Sequence, residues 1–266
     1  MTRLTHLGGP TVLIELDGWR ILTDPTFDPP GRTYAFGLGT SSTKVTGPAL
    51  EAADLGGRPD VVLVSHDHHA DNLDDAGRAL LPTAATVITT RAGERRLRAQ
   101  LPGQADLRGL RPGQRTSMTR AGLRDLQVLA TPCRHGPPLS RPVAGPVIGF
   151  ALTLGGREQV AVWMTGDTVL TRRLLHQADR LEVDILLAHL GSVQFPVTGR
   201  LRYSMNSHDA VRLVRRLRPR VTVPVHYEGW SHFAEPEAHL RTVFDSAPSG
   251  VGETLRWLQI GHTQDL

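Results

Sequence analysis

The stretch Ser65-His66-Asp67-His68-His69-Ala70-Asp71-Asn72-Leu73-Asp74 follows directly on the apolar run Val61-Val62-Leu63-Val64. Three imidazoles, neighbouring carboxylates and a carboxamide, gathered at the end of a buried strand, are a composition that an apolar core cannot accept. A cation held there is the first reading of it. On extended backbone His66 and His68 share one face, and His69 points elsewhere. Neutral imidazole with carboxylate is the ligand set for zinc, manganese or iron. The competing reading is a solvated, histidine-rich turn in which Asp71 caps a helix beginning near Leu73.

The rest of the chain alternates strands and helices. Residues 3 to 24 read as two strands, Thr11 to Leu16 and Trp19 to Asp24, turned at Asp17-Gly18. From Pro25 to Pro48 glycine, proline, serine and threonine break every periodicity, which predicts a long loop carrying Phe27, Tyr34 and Phe36, either beside a substrate or pinned to the core. Asp60 to Ser65 is a continuous apolar strand, Leu73 to Leu81 a helix stopped by Pro82, and Thr86 to Thr89 a strand. A basic helix runs from about Ala92 to Gln100, with a turn at Pro102-Gly103. Strands follow at Arg115 to Arg120 and Leu126 to Ala130, then a proline-rich loop to Pro146, then paired strands at Val147 to Leu154 and Gln159 to Met164. Helices are read at Val169 to Arg180, at Ser207 to Arg218 with Ser207 as N-cap, and at Glu235 to Phe244. The remaining strands are Ile185 to Ala188, Val221 to Val225 and Leu255 to Ile260.

Four of the apolar runs, ending at Val64, Ala130, Met164 and Val225, hand over within a few residues to His66 and His68, His135, Asp167, and His226. A lone histidine in such a place is more often a satisfied core residue. Four handovers together point to a metal site, because loops beyond the carboxyl ends of strands share one rim in α/β folds. His189 is a fifth handover, weighed evenly between substrate contact and structure.

Composition narrows the class. With 39% apolar residues, 27 glycines and 19 prolines in 266 residues, the chain reads as a globular, turn-rich single domain over 1–266 with enough length to bury a core. No long apolar segment reads as a signal peptide or a span, and the one cysteine, Cys133, excludes an intramolecular disulfide. A soluble, cytoplasmic protein is the expectation. The net charge of +4 comes almost wholly from arginine, Lys44 being the only lysine. The arginine clusters at 91–98 and 212–218 lie on helices, where solvated faces are the default, so neither nucleic acid nor membrane is expected as a partner.

These residues resemble the metallo-β-lactamase-fold hydrolases, in the branch similar to ascorbate-6-phosphate lactonases. The likeness covers Thr5 to Glu15, Leu22 to Pro25, Ser65 to Asp74, Thr131 to Pro137, Gly166 to Thr168 and Val223 to Tyr227. It implies a four-layer αββα sandwich of two similar halves, with His66, His68 and His135 on one divalent ion (zinc or manganese), Asp71 and His226 on a second, and Asp167 bridging. Against the family run His-any-His-any-Asp-His, Ala70 reads as an insertion and Asn72 stands where a histidine is usual, so one ion or two are implied, the second being weak, absent or held with His69 as a substitute. The usual early Gly-His pair is Gly8-Gly9 here, so what that histidine contributes is either missing or supplied by His6. The reaction implied is hydrolysis of an ester-like bond, a lactone, in a polar and anionic small molecule, with Asp71 and Asp167 handling the water's proton. Tyr227, Arg134, His189 and His232 are the substrate-binding candidates, each as readily a packing residue. The rivals are a phosphodiesterase or nuclease on the same fold and a non-catalytic metal-binding protein with a degenerate site; a homo-oligomer is compatible with either.

Overall fold

The computed structural model describes residues 2–101, 103, 106–140 and 144–266. Pro102 of the expected turn and residues 141–143 of the proline-rich piece lie outside the described residues. The chain divides into two compact units: Met1–Arg111 with Gly229–Ser231 and Leu258–Leu266, and Pro112–Glu228 with His232–Trp257.

The first unit is built from β1 (Thr2–Gly8), β2 (Thr11–Leu16), β3 (Trp19–Thr23), β4 (Thr33–Gly37), β5 (Thr40–Thr43), β6 (Val61–Leu63), α1 (Asp75–Leu80), β7 (Thr86–Thr90), α2 (Arg91–Gln100), β8 (Leu107–Leu110) and β15 (Thr263–Asp265). Its seven-stranded sheet has the order β15-β1-β2-β3-β6-β7-β8. The strands from β15 to β3 pair antiparallel, and β3, β6, β7 and β8 are mutually parallel. Strands β6 and β7 are buried along their whole length, as parallel strands covered on both faces must be. Leu13, Leu22, Val62, Val64, Leu80, Val87 and Leu97 share one apolar cluster.

The second unit contains β9 (Arg115–Met118), β10 (Leu126–Pro132), β11 (Ile148–Leu154), β12 (Val160–Met164), α3 (Arg172–Ala178), β13 (Val183–His189), α4 (Ser207–Leu217), β14 (Val221–Val225) and α5 (Glu237–Asp245). The sheet order is β14-β13-β12-β11-β10-β9, with β12, β13 and β14 parallel and the other pairs antiparallel. Helix α4 buries Ala210, Leu213, Val214 and Leu217, a stripe at helical spacing, among Trp163, Leu186 and Phe244. Both sheets repeat one plan: β1-β2-β3-β6-β7 and β10-β11-β12-β13-β14 each run as two antiparallel pairings followed by two parallel ones. This is the internal likeness of two halves that the sequence resemblance implies.

Several elements differ from the sequence reading. Residues 2–23 form three strands, the first turning at Gly8. The segment read as one loop carries the β4–β5 hairpin, whose alternating burial is only five residues long and hidden among threonine, serine and glycine. Edge strand β8 holds Arg108 and Gly109 between two leucines, too short and polar to stand out. Leu255 to Ile260 is not a strand: one bridge joins Leu255 to Thr222, and Trp257 packs edge-on against Tyr227 and Phe244 instead. The cap of α4 is Asn206, which accepts from the Asp209 N–H, not Ser207. The cap of α1 is Asp74, not Asp71. Among the described residues no helix is long and apolar enough to cross a membrane.

Helix α1 meets the chain after β3 with no room to spare. A Cβ on Gly77 would stand 1.9 Å from the Pro25 carbonyl oxygen and 3.1 Å from the Asp74 carboxylate that caps the helix. Gly77→Ala is therefore expected to lower stability by about 1–3 kcal/mol or more, in spite of alanine's better helix propensity, because backbone must shift to admit it. Chemical denaturation of the variant checks the sign.

Candidate metal centre

In the first unit β3 and β6 are parallel neighbours, so Asp24 and His66 leave the sheet at the same edge. Asp24 is fully buried at φ +31. Its carboxylate accepts the Ser65 N–H at 2.6 Å and the Asn72 carboxamide N–H at 3.1 Å, which ties both ends of the histidine stretch to β3. From the outer side, Asp67 takes a two-pronged ion pair from Arg96 on α2 at 2.7 and 2.5 Å, and Arg78 on α1 donates to the Asp67 carbonyl. The fork of guanidinium and carboxylate fixes geometry as well as charge. That bond to Asp67 also holds Arg96 above its ordinary pKa, against the opposing effect of burial.

Braced in this way, His66, His68 and His69 converge. The His66 and His69 rings lie 4.9 Å apart and nearly perpendicular, His68 and His69 are 4.4 Å apart, and one ring nitrogen from each of the three falls within 4.8 Å of the others. The expectation that His69 points away is corrected. The Asn72 and Leu73 N–H groups both donate to the His69 carbonyl, so the backbone turns after His68 and the period-two rule for strands no longer applies. Asn72 is fully buried; its amide nitrogen is directed at Asp24 and, more distantly, at Ser65 Oγ (3.4 Å), and its Oδ1 has no hydrogen-bond partner among the described residues. Asp71 is buried on the same turn. His6 binds the Gly9 carbonyl at 2.9 Å and so holds the β1–β2 turn.

The second unit gathers its own donors by direction of strands. Strands β10, β12, β13 and β14 run the same way, with only β11 opposed among them, so His135, Asp167, His189 and His226 all leave from one edge of the sheet. His135 places Nδ1 2.7 Å from the Tyr203 carbonyl, which fixes its tautomer as an Nδ1–H donor and turns Nε2 into a lone-pair donor. His226, fully buried at φ +55, sets Nδ1 3.3 Å from the Asp167 carboxylate. A non-glycine residue in that region is uncommon and marks a position held by its surroundings. Strand β11 passes close beneath: a Cβ on Gly149 would come within 2.6 Å of the Met164 and Thr165 carbonyls just before Asp167.

The substrate-binding candidates separate. His189 places its ring 5.5 Å from His226, and its backbone N–H donates to Thr165 Oγ1. His232 is buried with its ring 6.4 Å from His226 and against Phe233 and Phe195, which makes it a further donor beside His226. Arg134 is exposed, and its guanidinium Nε donates to the Gly136 carbonyl. Tyr227, in contrast, belongs to the apolar cluster with its ring edge-on to Trp257, and burial first, then Glu237 and Glu228, push its phenol well above the ordinary value. On the long loop, Phe27 joins the first unit's core and Phe36 lies edge-on to His69 at 5.1 Å. Sequence reasoning missed Asp24 and Arg96 as braces; the signal for the first was a buried Asp-Pro at a strand end.

Imidazole nitrogens with carboxylate oxygens, buried and braced from behind, suit a borderline divalent cation such as zinc, manganese or iron.

The sequence profile of the Beta-lactamase superfamily domain matches residues 19–227. The chain belongs to that family. Its fold is accordingly the metallo-β-lactamase fold, α/β with two mixed sheets. Among this superfamily member's relatives, a protein of Carboxydothermus hydrogenoformans named a UPF0173 metal-dependent hydrolase is 26% identical over 234 residues, 86% of this chain and 85% of the relative. The isothiocyanate hydrolase from Delia radicum gut bacteria superposes with a TM-score of 0.80 at 20% identity, over 99% of this chain and 98% of that one. A possible metal-dependent hydrolase from Veillonella parvula gives 0.80 at 21% identity, with both chains covered in full.

Proposed function

We propose that this superfamily member is a metal-dependent hydrolase that cleaves an ester-like bond, a lactone, in a polar small molecule. One observation carries the reading. Each of the two similar sheets delivers imidazoles or carboxylates from the carboxyl ends of its co-directed strands, and nothing in a packed core calls for donors there. Two relatives are named metal-dependent hydrolases, which supports the hydrolase part of the reading and says nothing of the substrate.

In this reading residues 1–266 act as one hydrolase domain. His66, His68 and His135 would hold one divalent ion, Asp71 and His226 would hold a second where two are present, and Asp167 would be shared by them. When bound, the ion supplies Lewis acidity, polarising the bond under attack and bringing water's pKa to near 7. The chain's own residues do the rest. Asp167 and Asp71 orient the water and move its proton. Arg134, His189 and His232 bind the polar substrate, and Phe36 excludes water from the His69 side.

The test is a hydrolase panel on protein reconstituted with zinc or manganese, comparing a lactone, an isothiocyanate and bis(p-nitrophenyl) phosphate. Lactone turnover abolished by chelation and by His66→Ala with His135→Ala is expected. Activity that survives the double variant would sink the metal reading, and phosphodiester turnover alone would replace the substrate class.

A further inference from the structure

We propose that His69 is itself a metal ligand of this chain, through Nδ1, and that Asn72 serves to orient the loop instead of holding the ion. The inference rests on the metal reading given under the proposed function.

The geometry separates the two side chains. His66 turns Nδ1 toward Ser65 Oγ at 3.0 Å, leaving Nε2 to face His69 Nδ1, also at 3.0 Å. Nitrogens sharing a tetrahedral ion at about 2.0–2.1 Å stand roughly 3.3 Å apart, so this pair need open by only a few tenths of an ångström to take one. His68 closes the third side, its ring 4.9 Å from His66 and 4.4 Å from His69. The His69 ring is held by the Phe36 edge behind it and by the turn that starts at its own carbonyl. It is 8% exposed, so this is a fixed orientation and not a surface conformer. Asn72 has its carboxamide nitrogen committed to the Asp24 carboxylate, which sets the direction of the whole group. A carboxamide oxygen is also the weaker donor for a borderline cation.

The turn that carries His69 toward the other two imidazoles is made by the Asn72 and Leu73 N–H groups donating to its carbonyl at 3.2 and 3.0 Å.

The experiment titrates purified protein with cobalt(II) and zinc(II), reading the visible cobalt bands and the metal content per chain for wild type, His69→Ala, His69→Gln, Asn72→Ala and His66→Ala. Glutamine can keep a hydrogen bond to His66 yet is a poor ligand, so a merely structural His69 is rescued by it and a ligand is not. Both His69 variants are expected to lose at least about 100-fold in affinity for one equivalent, with weakened cobalt bands, whereas Asn72→Ala loses less. Wild-type affinity in His69→Gln, or a larger loss in Asn72→Ala than in either His69 variant, would overturn the assignment while leaving the hydrolase reading intact. Wild-type metal content in His66→Ala would overturn both.

Discussion

Asp167→Asn is expected to lower kcat/KM by at least about 1,000-fold, equivalent to about 4 kcal/mol of transition-state stabilisation, with little change in fold. The substitution keeps the volume of a fully buried side chain at the end of β12, so packing with the neighbouring strands survives. It removes the negative charge set 3.3 Å from His226 Nδ1. In the proposed centre that carboxylate is both a ligand and the group that orients the attacking water, and two functions are lost together. An outer brace should cost less: Arg96→Ala, which frees Asp67, falls in the range of about 10–100-fold in metal affinity. Steady-state kinetics and circular dichroism read the first effect and metal titration the second, and Asp167→Asn activity within about tenfold of wild type would remove the carboxylate from the reaction.

The largest effect on stability is expected from Lys44→Met, a loss of about 3–5 kcal/mol. Lys44 is 3% exposed and its ammonium lies 2.9 Å from the Asp74 carboxylate, which is wholly buried at the N-terminus of α1. Asp74 also accepts from the Phe27, Asp28 and Gly77 N–H groups, so it gathers the long loop, the helix cap and the only lysine at one carboxylate. Methionine keeps the length of the stem and leaves the carboxylate buried without its cation. The acid limb should move too. Burial works to raise the Asp28 carboxyl, but the Tyr34 hydroxyl, the Ala76 and Asp75 N–H groups and the charge of Lys44 outweigh it and hold the group below its ordinary value. A depressed carboxylate adds stability above the ordinary pH range of its titration and loses it as pH falls through the folded-state value. Without Lys44 that depression shrinks, so the Lys44→Met protein should begin to unfold at higher pH on acidification, which denaturation curves collected below neutral pH can follow.

What was legible in the sequence follows from which residues act alone. The buried parallel strands at 61–63 and 221–225 are runs of apolar residues, and the helix at 207–217 has its apolar stripe and a proline just beyond it. The donors at strand ends were legible because each interrupts such a run. The β4–β5 hairpin and β8 were not, since their pairing partners, and not their own composition, make them strands. His69 was misread for a related reason: period-two logic assumes extended backbone, and the turn after His68 is made by hydrogen bonds to the His69 carbonyl that no local pattern announces. Asp24 and Arg96 brace the histidine stretch from 41 and 29 residues away, and such pairings exist only once β3 and α2 have found their places.

The central claim, that the histidine stretch holds a divalent ion, is tested most directly by metal content of the purified protein after expression in medium supplemented with zinc and manganese. About one to two equivalents per chain, with about one equivalent lost in His66→Ala with His135→Ala, is the predicted result. Wild-type protein that remains below about a tenth of an equivalent, or a double variant with unchanged metal, would contradict it.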